Sequence, residues 1–228
     1  MRSFGMRNFG LRNFGIAAVL LWACLCACLS TNAGAGREPQ EKVLLFIRHG
    51  WSMDIRFMVR EEVEVMKALL REAGFEPLVA TSSGETISWV DTELLEPDLR
   101  LADVRIDKFA GVVLPCMAKG WVHAEPEEIA LVKSAAEHNL PIAAQRGAIV
   151  ILGEAGLLEG REYAFDPNEL GIARRFFPGA GATCVGPGVV RDGTVITSSH
   201  CPYAARHYGP EKDGTRELVR LFIAALRE

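Results

Sequence analysis

The chain has 228 residues, 49% of them hydrophobic and 24% charged, and its formal net charge at pH 7 is -4. The hydrophobic share is enough for the core of a folded domain, which excludes a generally disordered chain. The 29 acidic residues outnumber the 25 basic ones, which argues against a nucleic-acid-binding protein, because its binding surface would be basic.

The first 36 residues have the pattern of an export signal. Arg2, Arg7 and Arg12 precede an apolar run at 16–29, and small residues follow that run. The run is too short to span a bilayer comfortably and is typical of the hydrophobic segment of a signal peptide. We therefore expect an exported protein of the cell envelope or periplasm, with an export signal at 1–36 and one domain at 37–228.

Two ways of processing this leader stay open. The sequence LCAC at 25–28 resembles a bacterial lipoprotein box, in which Cys28 would carry the lipid that anchors the protein to the membrane. Cleavage after the small residues at 33–35 would instead give a soluble exported protein. The body of the chain keeps three cysteines, so at least one of its thiols cannot enter an internal disulfide. They are Cys116, Cys184 and Cys201.

From residue 41 the sequence alternates between strand and helix patterns. Continuous apolar runs predict buried strands at 42–48, 75–80, 109–114 and 141–144. Apolar residues at helical spacing predict helices at 59–73, 125–138, from 145 to near 156, and 216–226. Asp192-Gly193 between apolar flanks predicts a type I′ hairpin within 189–197. This alternation predicts one α/β domain, with helices on both faces of a mostly parallel sheet.

The first predicted strand ends in Arg48-His49-Gly50, at the edge of the sheet where the sites of α/β proteins lie. These residues resemble the signature of the histidine phosphatases, in which the His takes the phosphoryl group and the Arg binds its oxygens. Such chemistry needs a second His and further Arg side chains around the phosphate. Phosphatase-like chemistry at His49 is therefore one functional hypothesis.

A broader resemblance covers most of residues 41–228. The stretches PDLRLADVRIDKFAGVVLP (97–115), LPIAAQRGAIVILGEAGLLEGR (140–161) and VVRDGTVITS (189–198) resemble, in order, the landmarks of the ThiJ/PfpI family in the class I glutamine amidotransferase-like superfamily. The resemblance implies a flavodoxin-like three-layer sandwich, hydrolase activity of the amidase, peptidase or deglycase type, and a homodimer. The His and Cys residues show no metal-ligand spacing, so we expect no metal or other cofactor.

The cysteine nucleophile of that family is missing. After PIAA the family usually continues Ile-Cys-His-Gly-Pro, whereas an ungapped match places Arg146 at the Cys position and Gly147 at the His position. A match to the superfamily's Cys-Arg-Gly variant places Gln145 at the nucleophile instead. Neither a guanidinium nor an amide can attack a carbonyl carbon in acyl transfer. We therefore expect a pseudoenzyme that binds a small molecule, an anion or a partner without covalent catalysis.

The anion would bind at Arg146, and the other expected binding residues are Gln145, Gly147 and His49. A cation at a strand-to-helix elbow is rarely buried without a partner, so Arg146 either meets an anionic ligand or pairs with Glu61 or Glu62.

The alternative hypothesis is an active cysteine hydrolase with a relocated nucleophile. Cys116 stands where the family usually has the first Gly of a Pro-Gly-Gly turn. Glu62, or equally its neighbour Glu61, matches by spacing the glutamate that touches the family's nucleophile. His200 lies in the loop where amidotransferase relatives place their catalytic His. The relocated pair would use Cys116 or its alternative Cys201 as thiolate, with His200 or His49 as base.

Overall fold

The computed structural model describes residues 40–48, 54–119, 121–166, 168, 171, 175 and 181–228. The leader with Cys28, and His49 after the first strand, lie outside the described residues. In the described part of the chain no helix is long and apolar enough to cross a membrane.

Eleven strands can be traced in the described residues. They are β1 (Lys42–Ile47), β2 (Glu76–Thr81), β3 (Ile87–Trp89), β4 (Thr92–Leu95), β5 (Leu99–Arg100), β6 (Gly111–Leu114), β7 (Ile142–Gln145), β8 (Glu162–Tyr163), β9 (Thr183–Cys184), β10 (Val189–Asp192) and β11 (Val195–Ser198). Seven of them form one sheet in the order β10-β11-β7-β6-β1-β2-β5. Every neighbouring pair in this sheet is parallel except β10 and β11. The strands β3 and β4 form a separate antiparallel pair, and β8 and β9 a parallel one.

The helices are α1 (Ile55–Met58), α2 (Glu64–Glu72), α3 (Pro126–Glu137), α4 (Ile149–Glu154), α5 (Pro202–Tyr208) and α6 (Thr215–Leu226). A π-helical turn at Val59–Val63 joins α1 to α2, and a 3₁₀ turn at Arg146–Ala148 precedes α4.

Two hydrophobic layers cover the two faces of the sheet. Leu44 and Phe46 of β1 belong to one layer, together with side chains of α3 and α4. Val43, Leu45 and Ile47 belong to the other layer, with side chains of α1, α2 and α6. Because both faces of β1 are buried, its sequence is a continuous apolar run rather than an alternating one. The predicted three-layer α/β fold with a mostly parallel sheet is confirmed.

Local details differ from the sequence predictions. The first helical segment begins at Ile55, before the predicted start at residue 59. The hairpin loop between β10 and β11 consists of Gly193 and Thr194, one residue later than Asp192-Gly193. Gly193 has a φ of +60° and Thr194 does not have a positive φ, so the expected type I′ turn is wrong, since it needs positive φ at both positions. A type II′ turn, with Gly first, fits this loop.

The sheet order brings three strand ends together. Cys116 follows β6, Arg146 follows β7 and His200 follows β11, and these strands are parallel neighbours in the sheet. Parallel neighbours end at the same edge, where the sites of open α/β sheets form.

Candidate functional site

Arg146 occupies the elbow between β7 and the 3₁₀ turn before α4. Its φ is +43°, a left-handed conformation that costs a residue with a side chain about 1–2 kcal/mol. The preceding Gln145 is fully buried, and its Nε2 donates to the backbone oxygen of His200 at 2.7 Å and to Thr215 Oγ1 at 3.0 Å. The strained strand-to-helix elbow is therefore present here, with an arginine at its tip.

A second strained turn follows β6. Met117 and Ala118 both have left-handed backbones, with φ of +50° and +49°. Glu62, fully buried on the π-helical turn, accepts hydrogen bonds from the backbone N–H groups of Cys116 and Met117, both at 2.8 Å. These two bonds hold a turn whose backbone would suit glycine better than the residues present.

The thiol of Cys116 lies between these two turns. A hydrogen bond from the Cys201 thiol is the largest cause that lowers the pKa of Cys116, to about 7. The backbone N–H of Gly147, the positive charge of Arg146 and the N–H of Ala118 act in the same direction, against the effect of burial. The same contact with Cys116, followed by burial, raises the pKa of Cys201 well above its ordinary value. These opposite shifts of pKa make Cys116 the more acidic thiol of the two.

The buried carboxyl of Glu62 responds to negative charge on Cys116. Burial is the largest cause that raises the pKa of Glu62 well above its ordinary value, and the nearby charge of Cys116 adds to it. The N–H groups of Met117 and Cys116 act in the opposite direction. Glu62 therefore tends to keep its proton while Cys116 loses its own.

A cavity of about 240 Å³ opens on the thiol. Its lining residues are Cys116, Ala118, Trp121, Arg146, Gly147, Tyr203 and Tyr208. The Arg146 guanidinium lies 5.5 Å from the ring centre of Tyr203 and 5.9 Å from that of Trp121, within the range of cation–π interactions. The walls of this cavity therefore combine a thiol, a cation and aromatic rings.

Arg146 and Tyr208 also line a neighbouring cavity of about 230 Å³. Its other lining residues are Asp166, Asn168, Ser199, His200, Ala204 and Lys212. Burial is the largest cause that lowers the pKa of His200, and the positive charge of Lys212 adds to it. The imidazole is therefore neutral at neutral pH.

The structure thus brings together most of the residues singled out from the sequence. The backbone N–H of Cys116 bonds to Glu62, Cys116 lines one cavity with Arg146 and Gly147, and His200 lines the adjoining cavity. The carboxylate oxygens of Glu62 bond to the turn after β6, and the carboxylate of Glu61 pairs with Arg60 at the surface.

Arg48, expected to bind phosphoryl oxygens in the phosphatase hypothesis, has a structural role instead. Its guanidinium is 2% exposed, forms an ion pair with Glu128 at 3.0 Å and donates to the backbone oxygen of His123 at 2.8 Å. A phosphoryl group cannot reach a cation that is buried in this way, so this part of the hypothesis is wrong.

Among the lining side chains of the two cavities that were not predicted from the sequence, four are aromatic or cationic. They are Trp121, Tyr203, Tyr208 and Lys212. Tyr203 and Tyr208 lie on α5, which begins directly after His200-Cys201, and this position beside a suspected loop is the signal that could have identified them.

In the described residues, no group of three or more His, Cys, Asp or Glu side chains is arranged to hold a metal ion.

Comparison with known proteins gives a consistent family relationship. The family model described as DJ-1/PfpI matches residues 42–208. A protein of Archaeoglobus fulgidus, described as uncharacterized, is 33% identical over 141 residues, which are 60% of this chain and 82% of that protein.

Solved structures share the fold. The ThiJ/PfpI domain protein from Brachyspira murdochii has a TM-score of 0.62 at 15% identity, over 83% of this chain and 98% of that one. Drosophila melanogaster DJ-1beta has a TM-score of 0.54 at 24% identity, again over 83% and 98%. The putative protease I from Bacteroides thetaiotaomicron has a TM-score of 0.54 at 13% identity, over 78% and 99%.

Proposed function

Because the chain belongs to the DJ-1/PfpI family, we propose that it is a cysteine-dependent hydrolase in which Cys116, rather than the elbow residue, supplies the nucleophile. The family includes proteins of the protease and deglycase type. The observation that carries the proposal is the set of groups around one sulfur. Cys116, Arg146 and Gly147 line one cavity, and hydrogen bonding to Cys201 and to the N–H of Gly147, with the charge of Arg146, lowers the pKa of Cys116.

These groups favour a thiolate near neutral pH. A thiolate attacks a carbonyl carbon without a general base, so the proposed reaction does not require His200 to contact Cys116. Attack forms a C–S bond and breaks the bond to the leaving amine or alcohol, which departs with a proton that water supplies. Water then hydrolyses the thioester and restores the thiolate. His200, which lines the adjoining cavity and has a lowered pKa, is the group proposed to accept the proton of that water.

The cavity limits the substrate. A volume of about 240 Å³ accommodates a small molecule or a single side chain. Arg146 on its wall binds a carboxylate or phosphate well, since its guanidinium offers two parallel donors and a fixed charge. The proposed substrate class is therefore a small amide or ester with an anionic group.

A second candidate function is non-covalent binding of an anion by a pseudoenzyme. The observation that favours it is the arginine at the elbow, held between Tyr203 and Trp121. In this hypothesis Arg146 again binds the anionic group, whereas Cys116 only packs against its neighbours.

Alkylation of the full chain with iodoacetamide across a pH series separates the two functions. We expect labelling of Cys116 to rise with a midpoint near pH 7, and to be lost in Cys116→Ser. Cys184→Ser is the matched control, because Cys184 is a partly buried thiol in the other hydrophobic layer. Labelling of Cys116 only near the ordinary thiol pKa, about 8.5, would reject the nucleophile.

The anion is tested separately by thermal shift. Small carboxylates and inorganic phosphate should raise the melting temperature of the wild type but not of Arg146→Ala. Stabilisation by these anions without fast labelling of Cys116 would favour the binding module.

We also propose that residues 1–36 direct export to the cell envelope. Intact mass tests the two routes: a diacylglycerol adduct on an N-terminal Cys28 supports the lipid anchor, and a chain that begins after Ala35 supports simple secretion. A mature chain that retains Met1 would contradict export. The homodimer implied by the family resemblance stays a prediction, which sedimentation velocity tests.

A further inference from the structure

We infer that Glu154 is a positioning residue, which holds Trp121 in the wall of the thiol cavity and thereby limits the size of the group that reaches Cys116. Trp121 lines this cavity and Glu154 does not. The inference rests on the proposed function, because it selects among the proposed amides and esters: a short acyl group is admitted and an aryl acyl group is excluded.

Trp121 is held by two side-chain contacts. The centre of its ring lies 5.1 Å from that of Phe165 and 5.9 Å from the guanidinium of Arg146. Phe165 is 1% exposed, so it is a fixed support on which the indole rests. The position of the indole also depends on the backbone that carries it, and this backbone has polar contacts of its own.

Glu154 holds the backbone that follows Trp121. Ala124 donates its N–H to Oε2 of Glu154 at 2.7 Å, and Nδ1 of His123 lies 2.5 Å from Oε1. Because a carboxylate only accepts hydrogen bonds, the ring nitrogen is the donor. The side chain of Glu154 is 12% exposed, so water competes with these bonds less than it does at the surface. One carboxylate thus fixes two successive residues close to Trp121.

The helix that ends at Glu154 also positions the elbow. The 3₁₀ turn before α4 contains Arg146 and Gly147, which line the cavity. The residues Ile149–Leu152 of α4 are fully buried, so this helix is fixed in the hydrophobic layer. The hydrogen bonds of Glu154 therefore tie Trp121 to the same rigid element that carries the cation of the cavity.

Arg48 holds the same backbone, since its guanidinium donates to the oxygen of His123 at 2.8 Å. Arg48 is itself buried and paired with Glu128, so its replacement would destabilise the domain as a whole. Glu154 is the last residue of α4. Its replacement therefore tests the position of Trp121 with less damage to the core.

The test compares two alkylating reagents that share one reactive group, iodoacetamide and N-phenyl iodoacetamide, on the full chain. Each rate at Cys116 is measured by peptide mapping and divided by the rate with free cysteine. We expect the phenyl reagent to react about tenfold more slowly with the wild type, the low end of the discrimination that a closely fitting pocket gives. Glu154→Ala should remove most of this difference by raising the rate of the phenyl reagent. Labelling of Cys184 in the same samples reports any general unfolding.

A milder variant removes one of the two bonds. His123 has a side chain that is 76% exposed, so His123→Ala leaves the core intact and should lose part of the discrimination. Glu159→Ala is the matched control, because Glu159 is an exposed carboxylate in the turn after α4. Both of its rates should equal those of the wild type.

Two further variants show whether Glu154 acts through Trp121. Trp121→Ala should lose the discrimination, and adding Glu154→Ala should change nothing more, because the side chain that Glu154 positions is gone. Glu154→Gln should keep the discrimination, since its amide oxygen accepts from Ala124 and its NH2 group can donate to the His123 ring.

The positioning role is overturned if both Glu154→Ala and His123→Ala discriminate as the wild type does. Additive effects of Glu154→Ala and Trp121→Ala, or a loss of discrimination in Glu154→Gln, would also overturn it. The proposed hydrolase is judged by the pH midpoint of iodoacetamide labelling instead. If that midpoint is near the ordinary thiol pKa but discrimination depends on Glu154, only the hydrolase is rejected. If the midpoint is near pH 7 but discrimination does not depend on Glu154, only the positioning role is rejected.

Discussion

Arg146 and Cys116 face the same small cavity from the ends of two neighbouring parallel strands. Arg146 has the left-handed backbone of an elbow, and Cys116 has the thiol that the elbow lacks. The charge of the first lowers the pKa of the second. An elbow that has lost its nucleophile thus still contributes to the reactivity of a thiol on the next strand.

The strain at the elbow can be measured by comparing two variants of Arg146. Arg146→Gly and Arg146→Ala both remove the guanidinium, so its contacts cancel in the comparison. Glycine tolerates the φ of +43°, whereas alanine retains about 1–2 kcal/mol of left-handed strain. Glycine loses more conformational entropy on folding than alanine, which offsets part of this difference. In urea unfolding we therefore expect Arg146→Gly to be about 1 kcal/mol more stable than Arg146→Ala. Equal stability of the two variants would show that this backbone is not strained.

Glu62→Gln should destabilise the protein. An amide has one oxygen and one NH2 group, so it cannot accept hydrogen bonds from both Cys116 and Met117 through separate oxygens. We expect a loss of about 1–3 kcal/mol in the free energy of unfolding. The matched control is Glu61→Gln, since the Glu61 side chain is 41% exposed and forms its ion pair with Arg60 at the surface. Its effect should stay within about 0.5 kcal/mol.

The pH dependence of the same variant has a definite sign. The folded pKa of Glu62 lies above its ordinary value of 4.5, so the folded state binds more protons than the unfolded state above that pH. The contribution of Glu62 is fully present below about pH 4.5 and is lost as the pH rises through the folded pKa. The stability advantage of wild type over Glu62→Gln should therefore narrow with rising pH in urea titrations. An advantage that widens would contradict the raised pKa.

The ion pair of Arg48 with Glu128 gives a third prediction. Arg48→Met leaves a buried carboxylate without its partner, which costs about 3–5 kcal/mol. Adding Glu128→Gln removes that charge and keeps an acceptor for the N–H of Glu125, so the double variant should be more stable than the single one. The exposed pair Arg220–Glu217 is the control, and Arg220→Met should cost no more than about 1 kcal/mol. A double variant as unstable as the single one would contradict this account.

The thiol contact gives a fourth prediction. Cys201→Ala removes the hydrogen bond that is the largest cause of the low pKa of Cys116. The pKa of Cys116 should then rise above about 7, and it should rise less in Cys201→Ser, because the hydroxyl still donates. Titration of the thiolate absorbance in the ultraviolet, with Cys116→Ser as the blank, measures both. If the pKa of Cys116 were the same in Cys201→Ala and Cys201→Ser, the hydrogen bond from residue 201 would not explain the low pKa of Cys116.

The sequence was sufficient for the central sheet, because its long strands are buried on both faces. A run such as Val43 to Ile47 cannot be stable at a surface, so its place in the sheet follows from composition alone. The start of α3 could also be predicted. Proline is favourable at the first position of a helix, where its missing N–H group would have no partner within the helix, and Pro126 is the first residue of α3. Short strands such as β8 and β9 have two residues each and leave no periodicity to detect.

The candidate site was only partly predictable, for a physical reason. Cys116, Arg146 and His200 all follow predicted strands, so they could be assigned to one edge of the sheet. Which of them touch depends on the order of the strands and on the turns after them, and a single sequence states neither. The bond of the Cys116 N–H to Glu62 and the pairing of Arg48 with Glu128 join distant parts of the chain, and only the folded structure reveals them.

The π-helical turn at Val59–Val63 contains one residue more than an α-helical turn. This extra residue determines how the side chains before and after it are oriented relative to each other about the helix axis. Ile55 and Met58, before this turn, are buried in the core, and Glu62, within it, reaches the turn of Cys116. Deleting one residue here would rotate the two halves by about 100° relative to each other. Either the apolar anchors or the carboxyl would then face the wrong way. The extra residue of the π-helical turn thus lets one continuous helical segment place apolar side chains in the hydrophobic layer and a carboxyl at the turn that carries the thiol.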